Sequence, residues 1–186
     1  MHLVTPQIAI GSRDDAANPQ LLEQFGIDAI LSLEPVRLSR PAACQMTLQV
    51  KDRIALPAAV IEQAVGFIHQ QLLLGRRVMA HCQMGISRSP ALVLAYLHQH
   101  QGLSLSQGLA LIQQARPHAE PHPVLLASLQ QYFQRQASEL QVSELQVSEL
   151  QVSELPISEL QACERQACEQ PALQPRCGDQ SQKLVL

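Results

Sequence analysis

The segment Val78-Met-Ala-His-Cys-Gln-Met-Gly-Ile-Ser-Arg-Ser-Pro90 joins a short apolar run to a turn and then to a strongly apolar stretch. Val78-Met-Ala80 predicts a brief buried strand, and Pro90 suits the first turn of a helix over residues 90–98. The backbone N–H groups of the turn have no partners of their own, so they can converge on an anion. The helix N-terminus adds a partial positive charge there. The segment therefore predicts an anion-binding loop between a strand and a helix.

Three residues give this loop its chemistry. Gly85 allows a backbone conformation that residues with a Cβ resist. Arg88, six residues after Cys82, can curl back and bind two phosphate oxygens with its planar guanidinium. A cysteine thiol in water has a pKa of about 8.5, and the helix end and the guanidinium both favour the thiolate. A cavity that binds a phosphate dianion would also activate Cys82, which is therefore the candidate nucleophile.

Outside this loop, residues 1–136 alternate strand and helix signals. Strands are predicted at residues 8–10, 27–33 and 46–50, and an amphipathic helix at residues 58–74, where apolar residues recur at intervals of three and four. Further helices are predicted at residues 18–25, from the capping box Ser104-Leu-Ser-Gln107 to Arg116, and at residues 124–134. Alternation of this kind predicts an α/β domain with a sheet between helices.

From residue 137 the sequence becomes a five-residue repeat, Ser-Glu-Leu-Gln-Val, in which Glu recurs from Glu139 to Glu169 at every fifth position. A period of five keeps its leucines on no single face of a helix or strand. Residues 137–186 are therefore expected to be a low-complexity tail, disordered or loosely helical, with a short β-solenoid as the alternative. Cys163 and Cys168 lie in phase with the repeat serines, which argues against a zinc site there.

Composition excludes several classes of protein. Residues 1–136 hold ten Lys and Arg against eight Asp and Glu, and residues 137–186 hold three against eight. No basic stripe suggests a nucleic-acid partner, and no apolar run approaches the roughly 18 residues of a membrane span. The N-terminus lacks the pattern of a signal peptide, and five cysteines without a compact spacing favour free thiols. A cytoplasmic location is expected, with no nucleic-acid or membrane partner.

The pattern His-Cys-x-x-Gly-x-x-Arg-Ser at residues 81–89 resembles the signature of cysteine-based protein phosphatases, and residues 1–136 resemble a small dual-specificity phosphatase catalytic domain. Residues 10–18 resemble the family's opening strand and turn, and residues 26–33 its second strand. The resemblance implies an α/β fold with a small central mixed sheet of about four to five strands flanked by helices. It also implies hydrolysis of phosphotyrosine, phosphoserine or phosphothreonine in proteins through a phosphocysteine intermediate.

The same resemblance assigns roles to individual residues. Asp52, thirty residues before Cys82, would be the general acid that protonates the departing oxygen and later helps a water attack the phosphocysteine. Ser89 would ease departure of the thiolate, and His81 would order the loop. The phosphate would be bound by loop N–H groups and one guanidinium, from Gln83, Met84, Gly85, Ile86, Ser87 and Arg88. A phosphoprotein is the expected partner, and no metal or cofactor is expected.

Two positions depart from the family's pattern. Many relatives carry Pro-Asn where this chain has Pro121-His122, so the imidazole either replaces the hydrogen bond that braces the loop or leaves the loop less well braced. Met84 stands where a small residue is commoner. In addition, Cys44 is a candidate for a protective disulfide with an oxidised Cys82.

Two alternatives remain open: a phospho-recognition module without turnover, and a phosphatase for a non-protein phosphomonoester. Lipid phosphatases of this superfamily often place Lys in the loop to hold extra phosphates, whereas Gln83, Met84, Ile86 and Ser87 are uncharged. Two further classes fit less well. A sulfurtransferase would not need Asp52, and a low-molecular-weight phosphatase has the loop and the acid in the reverse order.

Overall fold

The computed structural model of the protein describes residues 1–37 and 44–152. Five strands and six helices follow one another in this part of the chain: β1 (His2–Thr5), β2 (Ile8–Gly11), α1 (Arg13–Ala17), α2 (Pro19–Gln24), β3 (Ala29–Ser32), β4 (Cys44–Thr47), α3 (Ala58–Leu73), β5 (Val78–His81), α4 (Arg88–Gln101), α5 (Leu105–Ala115) and α6 (Pro123–Val152). The alternation predicted from the sequence is present in this order.

The five strands form one sheet in the order β1-β2-β5-β3-β4. β1 pairs antiparallel with β2, and the other neighbours are parallel, so the sheet is mixed, as the resemblance implied. The central strand β5 ends in register with both of its neighbours, since His81 lies opposite Gly11 on β2 and opposite Ser32 on β3. The loop that follows His81 therefore leaves the sheet from its central strand, where the four parallel strands β2, β5, β3 and β4 have their carboxyl ends.

Helices cover both faces of the sheet because its central strands are apolar on both sides. Alternate residues of β2, β3 and β5 pack with α3, α4, α5 and α6 in the larger core, which contains Ile10, Leu31 and Ala80. The residues between them face a smaller core with α1 and α2, which contains Ile30 and Met79. Buried on both faces, β5 is a rigid support for the loop that follows it.

Several helix and strand bounds differ from the sequence prediction. β4 spans Cys44–Thr47 rather than residues 46–50, because pairing with β3 ends at Ser32 and the chain then turns toward the cleft. α4 begins at Arg88, two residues before Pro90, so the arginine is itself helical. β1 and α1 were not predicted, although α1 opens with a capping box between Ser12 and Asp15.

The chain divides into two compact units, Met1–Glu139 and Leu140–Leu186. The prediction for the tail concerns residues 137–186, of which only 137–152 are described, and these continue α6 as helix rather than forming a β-solenoid. Residues 153–186, with Cys163 and Cys168, lie outside the described residues. Within residues 1–37 and 44–152, no helix combines the length and the apolarity needed to cross a membrane.

Candidate active site

Cys82 lies directly after β5 and is 2% exposed, at the base of a cleft. The Ser89 hydroxyl donates a hydrogen bond to its Sγ at 3.4 Å. Burial raises the pKa of the Cys82 thiol, but the hydroxyl and N–H of Ser89, the positive charge of Arg88 and the N–H of Gly85 together outweigh burial and lower that pKa below its ordinary value. The site therefore favours the thiolate, which is the nucleophilic form of cysteine.

The loop after Cys82 has its carbonyl groups fixed on its outer side. The carbonyls of residues 83–86 accept hydrogen bonds from the N–H of Arg13 at 3.2 Å, from Arg116 Nη2 at 2.8 Å, from Arg116 Nε at 2.7 Å and from the N–H of Glu120 at 2.7 Å, in that order. In a trans peptide the C=O and the following N–H point in opposite directions. Holding these carbonyls outward consequently turns the N–H groups of residues 84–87 inward, where they can bind an anion.

Gly85 is required by its conformation and by its neighbours. Its φ is +67°, in the left-handed region, and a Cβ built there would lie 2.5 Å from the carbonyl oxygen of Gly11 and 3.0 Å from Arg116 Nη2. The loop thus lies directly against the end of β2, with no space for a side chain. Gly85 was predicted from its conformational freedom, whereas the close approach to Gly11 depends on the fold.

Arg88 occupies the first turn of α4, and its guanidinium is held at two of its three nitrogens. Nη1 donates to the carbonyl of Val50 at 3.0 Å, and Nη2 forms an ion pair with Glu34 at 3.2 Å. Within the described part of the chain, Arg88 Nε is buried and has no hydrogen-bond partner. A phosphate oxygen would supply the acceptor that this buried donor lacks.

His81 is fully buried and braces the start of the loop. Its Nε2 lies 2.9 Å from the hydroxyl of Ser32 on β3, and its Nδ1 lies 3.5 Å from the carbonyl of Cys82. Burial lowers the pKa of the imidazole. The contact with the Cys82 carbonyl and the negative charge of Glu34 raise this pKa, but by less than burial lowers it. A neutral imidazole suits the role of loop support better than that of a proton donor.

Asp52 lies on an exposed loop at the rim of the same cleft, which has a volume of ≈ 520 Å³. The cleft is lined by Asp52, by Cys82, by most of the loop between Cys82 and α4, and by residues 120–123. Ser87 Oγ donates a hydrogen bond to Asp52 Oδ1 at 2.9 Å. Asp52 and Ser87 are thirty-five residues apart in the sequence, so only the fold brings them into contact. The same fold places Asp52 in one cleft with Cys82 and Arg88, as predicted.

His122 supports the site in a way that the sequence left open. Its backbone N–H donates to Ser87 Oγ at 3.1 Å, and its Nδ1 accepts a hydrogen bond from the N–H of Val124 at 3.3 Å. The imidazole therefore caps α6, as an Asn side chain can. The brace between this segment and the loop after Cys82 runs through the backbone N–H of residue 122, so it does not depend on the side chain at this position.

Cys44 is not placed to form a disulfide with Cys82. It pairs with Ala29, which in turn pairs with Val78, so it is level with the start of β5 and two strands away. Two strand spacings of about 4.8 Å and four residue rises of about 3.3 Å separate the two Cα atoms. A disulfide requires a Cα separation below about 7 Å, so the candidate pair Cys44–Cys82 is wrong for this fold.

Comparison with known proteins decides the family. Residues 8–135 match the family model described as dual specificity phosphatase, catalytic domain. The chain belongs to this family. Dual specificity protein phosphatase 1B from Arabidopsis thaliana is 32% identical over 127 residues, which are 66% of this chain and 75% of that protein. The crystal structure of human DUSP28 superposes with a TM-score of 0.69 at 27% identity, covering 75% of this chain and 99% of that one.

Relatives of this dual specificity phosphatase domain differ in the substrates that their names record. Phosphatidylglycerophosphate phosphatase PTPMT2 from Arabidopsis thaliana is 29% identical over 111 residues, which are 55% of this chain and 49% of that protein. Membership of the family therefore gives a cysteine-based phosphatase domain and a phosphorylated substrate, and leaves the class of substrate open.

Two residues of this phosphatase site were missed from the sequence. Arg116 was noted as the end of a helix and as a position that resembles the family, but not as a site residue, yet its guanidinium donates to two carbonyls of the loop after Cys82. Glu34 pairs with Arg88. A signal for Glu34 was available, because it follows β3 and the carboxyl ends of adjacent parallel strands meet at one edge of a sheet. No local signal indicates where the Arg116 side chain points.

Proposed function

We propose that this chain hydrolyses phosphomonoesters of proteins, on phosphotyrosine, phosphoserine or phosphothreonine, through a phosphocysteine intermediate on Cys82. The observation that carries the proposal is a buried thiol with a lowered pKa below inward-facing N–H groups and beside a buried Arg88 Nε that lacks a partner. One arrangement of positive dipoles and charge thus serves the nucleophile and the phosphate together.

In the first step, the Cys82 thiolate attacks phosphorus and the bond between phosphorus and the ester oxygen breaks. The electron pair of that bond leaves with the oxygen, which takes a proton from the carboxylic acid of Asp52. Arg88 Nε and the loop N–H groups bind the non-bridging oxygens as charge develops on them. The products are a phosphocysteine, the free hydroxyl group of the substrate and the carboxylate of Asp52.

In the second step, a water molecule attacks the phosphocysteine. The Asp52 carboxylate takes a proton from this water, the bond between sulfur and phosphorus breaks, and its electron pair returns to Cys82 as thiolate. The hydrogen bond from Ser89 Oγ to Sγ, 3.4 Å long in the free protein, stabilises the departing thiolate. The sum of both steps is ester and water giving alcohol and phosphate, and a cation is not needed to balance it.

Protein substrates are proposed because the loop residues other than Arg88 that line the cleft are uncharged. Gln83, Met84, Ile86 and Ser87 offer no side-chain cation for a second phosphate group, and the other cation that lines the cleft, Arg53, belongs to the exposed loop of Asp52. A non-protein phosphomonoester is the second candidate, and similarity to a phosphatidylglycerophosphate phosphatase favours it. A cytoplasmic location belongs to the proposal, since the reaction requires Cys82 to be reduced.

The test is hydrolysis of para-nitrophenyl phosphate by the reduced, metal-free full-length chain, with Cys82→Ser as the matched control. Turnover that vanadate blocks and that Cys82→Ser abolishes is the expected result. Phosphate binding without turnover would replace the proposal with a phospho-recognition module. Phosphopeptides and phosphatidylglycerophosphate vesicles are then compared by kcat/KM, and a preference above about 100-fold for the lipid would overturn the assignment to proteins.

A further inference from the structure

Ser87 stands at the N-cap of α4, but its side chain does not cap the helix. A serine at this position ordinarily accepts a hydrogen bond from an N–H of the first turn. Here no such bond is formed, and the φ and ψ of Ser87 are −116° and −68° rather than extended. Its hydroxyl instead donates to Asp52 Oδ1 at 2.9 Å and accepts from the N–H of His122 at 3.1 Å. The side chain therefore joins three separate segments at the cleft.

This hydrogen bond is what holds the Asp52 carboxylate in place. Residues 51–55 are all exposed, so packing does not fix the side chain. Nearby anchors of the loop involve its backbone: the carbonyl of Val50 accepts a hydrogen bond from Arg88 Nη1, and the N–H of Leu56 donates one to Ser128 Oγ. Among the residues described, no second hydrogen bond or ion pair reaches the Asp52 carboxylate. Its direction in the cleft is consequently set by Ser87.

The hydroxyl is well suited to fix this direction. A serine hydroxyl has a single proton, and a backbone N–H occupies an acceptor position on its oxygen. The backbone N–H of His122 can only donate, so it always occupies an acceptor position of the Ser87 oxygen. The proton of the Ser87 hydroxyl is therefore free to point at Asp52 Oδ1. Oδ1 then acts as an acceptor, which leaves Oδ2 as the oxygen able to carry the proton of the carboxylic acid.

We propose that Ser87 is a positioning residue for the general acid: its hydrogen bond to Oδ1 holds Asp52 with the transferable proton on Oδ2, facing the leaving oxygen. This inference rests on the proposed function. In the first step, the bond between Oδ2 and its proton breaks and the leaving oxygen receives that proton, while the Ser87 hydrogen bond remains and stabilises the carboxylate that is formed.

A leaving-group series tests the proposal. Need for a general acid rises with the basicity of the leaving oxygen, so phenyl phosphate depends on Asp52 more than 2,4-dinitrophenyl phosphate does. For Ser87→Ala, kcat/KM is expected to fall about tenfold with phenyl phosphate, and less than about threefold with the dinitrophenyl ester, because the acid is misplaced rather than removed. Asp52→Asn should show the same trend with a larger amplitude.

Three comparisons separate positioning from damage to the fold. Ser87→Thr keeps the hydroxyl and should recover most of the activity on phenyl phosphate. Ser87→Cys keeps the size but is a weak donor, and should resemble Ser87→Ala. In the Asp52→Asn background, Ser87→Ala should cause no further leaving-group-dependent loss, since the group it positions is already absent.

The outcomes distinguish this inference from the function on which it rests. If Asp52→Asn shows the leaving-group trend but Ser87→Ala lowers kcat/KM equally for every ester, Ser87 only supports the loop and the inference is overturned. If Cys82→Ser abolishes turnover but Asp52→Asn shows no trend, another group is the acid and the inference falls with that assignment. Absence of turnover in the wild type would overturn the proposed function itself.

Discussion

Replacing Gly85 with alanine should both destabilise the domain and disable the site. The residue has a φ of +67°, and a Cβ on it would lie 2.5 Å from the carbonyl oxygen of Gly11. Ordinary van der Waals contact begins near 3.4 Å, so the loop and the end of β2 must separate by about 1 Å. Because the loop N–H groups are the ones proposed to bind the phosphate, this displacement would fall directly on the reacting group.

The expected loss in the free energy of unfolding has two parts. A left-handed conformation costs a residue with a Cβ about 1–2 kcal/mol, and forcing apart packed groups costs about 1–3 kcal/mol more. A misplacement of about 1 Å at a reacting centre can cost about 100-fold in rate. Gly85→Ala is therefore expected to lower the free energy of unfolding by about 2–5 kcal/mol and kcat/KM by about 100-fold.

Gly102 provides the matched control. Its φ is +68°, nearly that of Gly85, but no heavy atom lies within 4 Å of a Cβ built on it. Gly102→Ala should carry the conformational cost of about 1–2 kcal/mol alone and leave kcat/KM unchanged. Urea unfolding and para-nitrophenyl phosphate hydrolysis measure both variants. Equal activity of the two variants would refute the argument that the contact with Gly11 sets the loop geometry.

Four further outcomes are expected. Arg116→Met should lower kcat/KM by at least about tenfold, because two loop carbonyls lose their donor. Arg116→Lys should restore little, because an ammonium group cannot donate to both carbonyls in one plane. Full activity in either variant would contradict this. Glu34→Gln should lower the free energy of unfolding by about 1–3 kcal/mol in urea, since it removes one charge of a mostly buried ion pair; an unchanged midpoint would disagree. Arg53 has a φ of +60°, so Arg53→Gly should stabilise the protein by up to about 1 kcal/mol, with Asn giving a smaller gain, and a loss of stability would argue against strain. The rate of Cys82 alkylation should rise with pH around a midpoint below the ordinary pKa of a cysteine thiol, and Ser89→Ala should raise that midpoint; a midpoint at or above the ordinary pKa would show that burial prevails.

The lowered pKa of Cys82 also links pH to stability. Between the folded pKa and the ordinary pKa of a cysteine thiol, the unfolded chain binds a proton that the folded chain does not. The free energy of unfolding should therefore gain a contribution as pH rises through this window, and lose it as pH falls through the folded pKa. Comparing urea midpoints of the wild type and Cys82→Ser across this range measures the contribution.

Much of the fold followed from local signals. The limits of α2, α3 and α5 were predicted to within a residue or two, because Asn18, Gly75 and the capping box at Ser104 act within a single turn of helix. The bounds of β4 were wrong, since strand ends depend on the pairing partner rather than on the residues themselves. β1 was missed because it depends on pairing with β2 and half of its residues are exposed, so its sequence has no apolar run.

The predicted site residues lie together, but their mutual contacts did not follow from the sequence. Cys82 and Arg88 belong to one motif, so a short turn and a helix end were enough to relate them. The second role of Ser87, by contrast, depends on Asp52 and His122, each thirty-five residues away in the chain. Sequence spacing has no information on where such distant segments meet, and the fold supplies it.

The long-range contacts of the loop between Cys82 and α4 determine when this loop can reach its folded geometry. The loop itself ends at Arg88. The groups that hold it in place lie later in the sequence: the Arg116 side chain and the backbone N–H groups of Glu120 and His122. A nascent chain that ends within α5 would contain the whole signature motif without the groups that orient it. Contacts over such distances form late, because a long loop must close first. Under the proposed function, hydrolysis of a phosphomonoester would therefore report completed folding, and it should appear during synthesis only after α6 has begun to form.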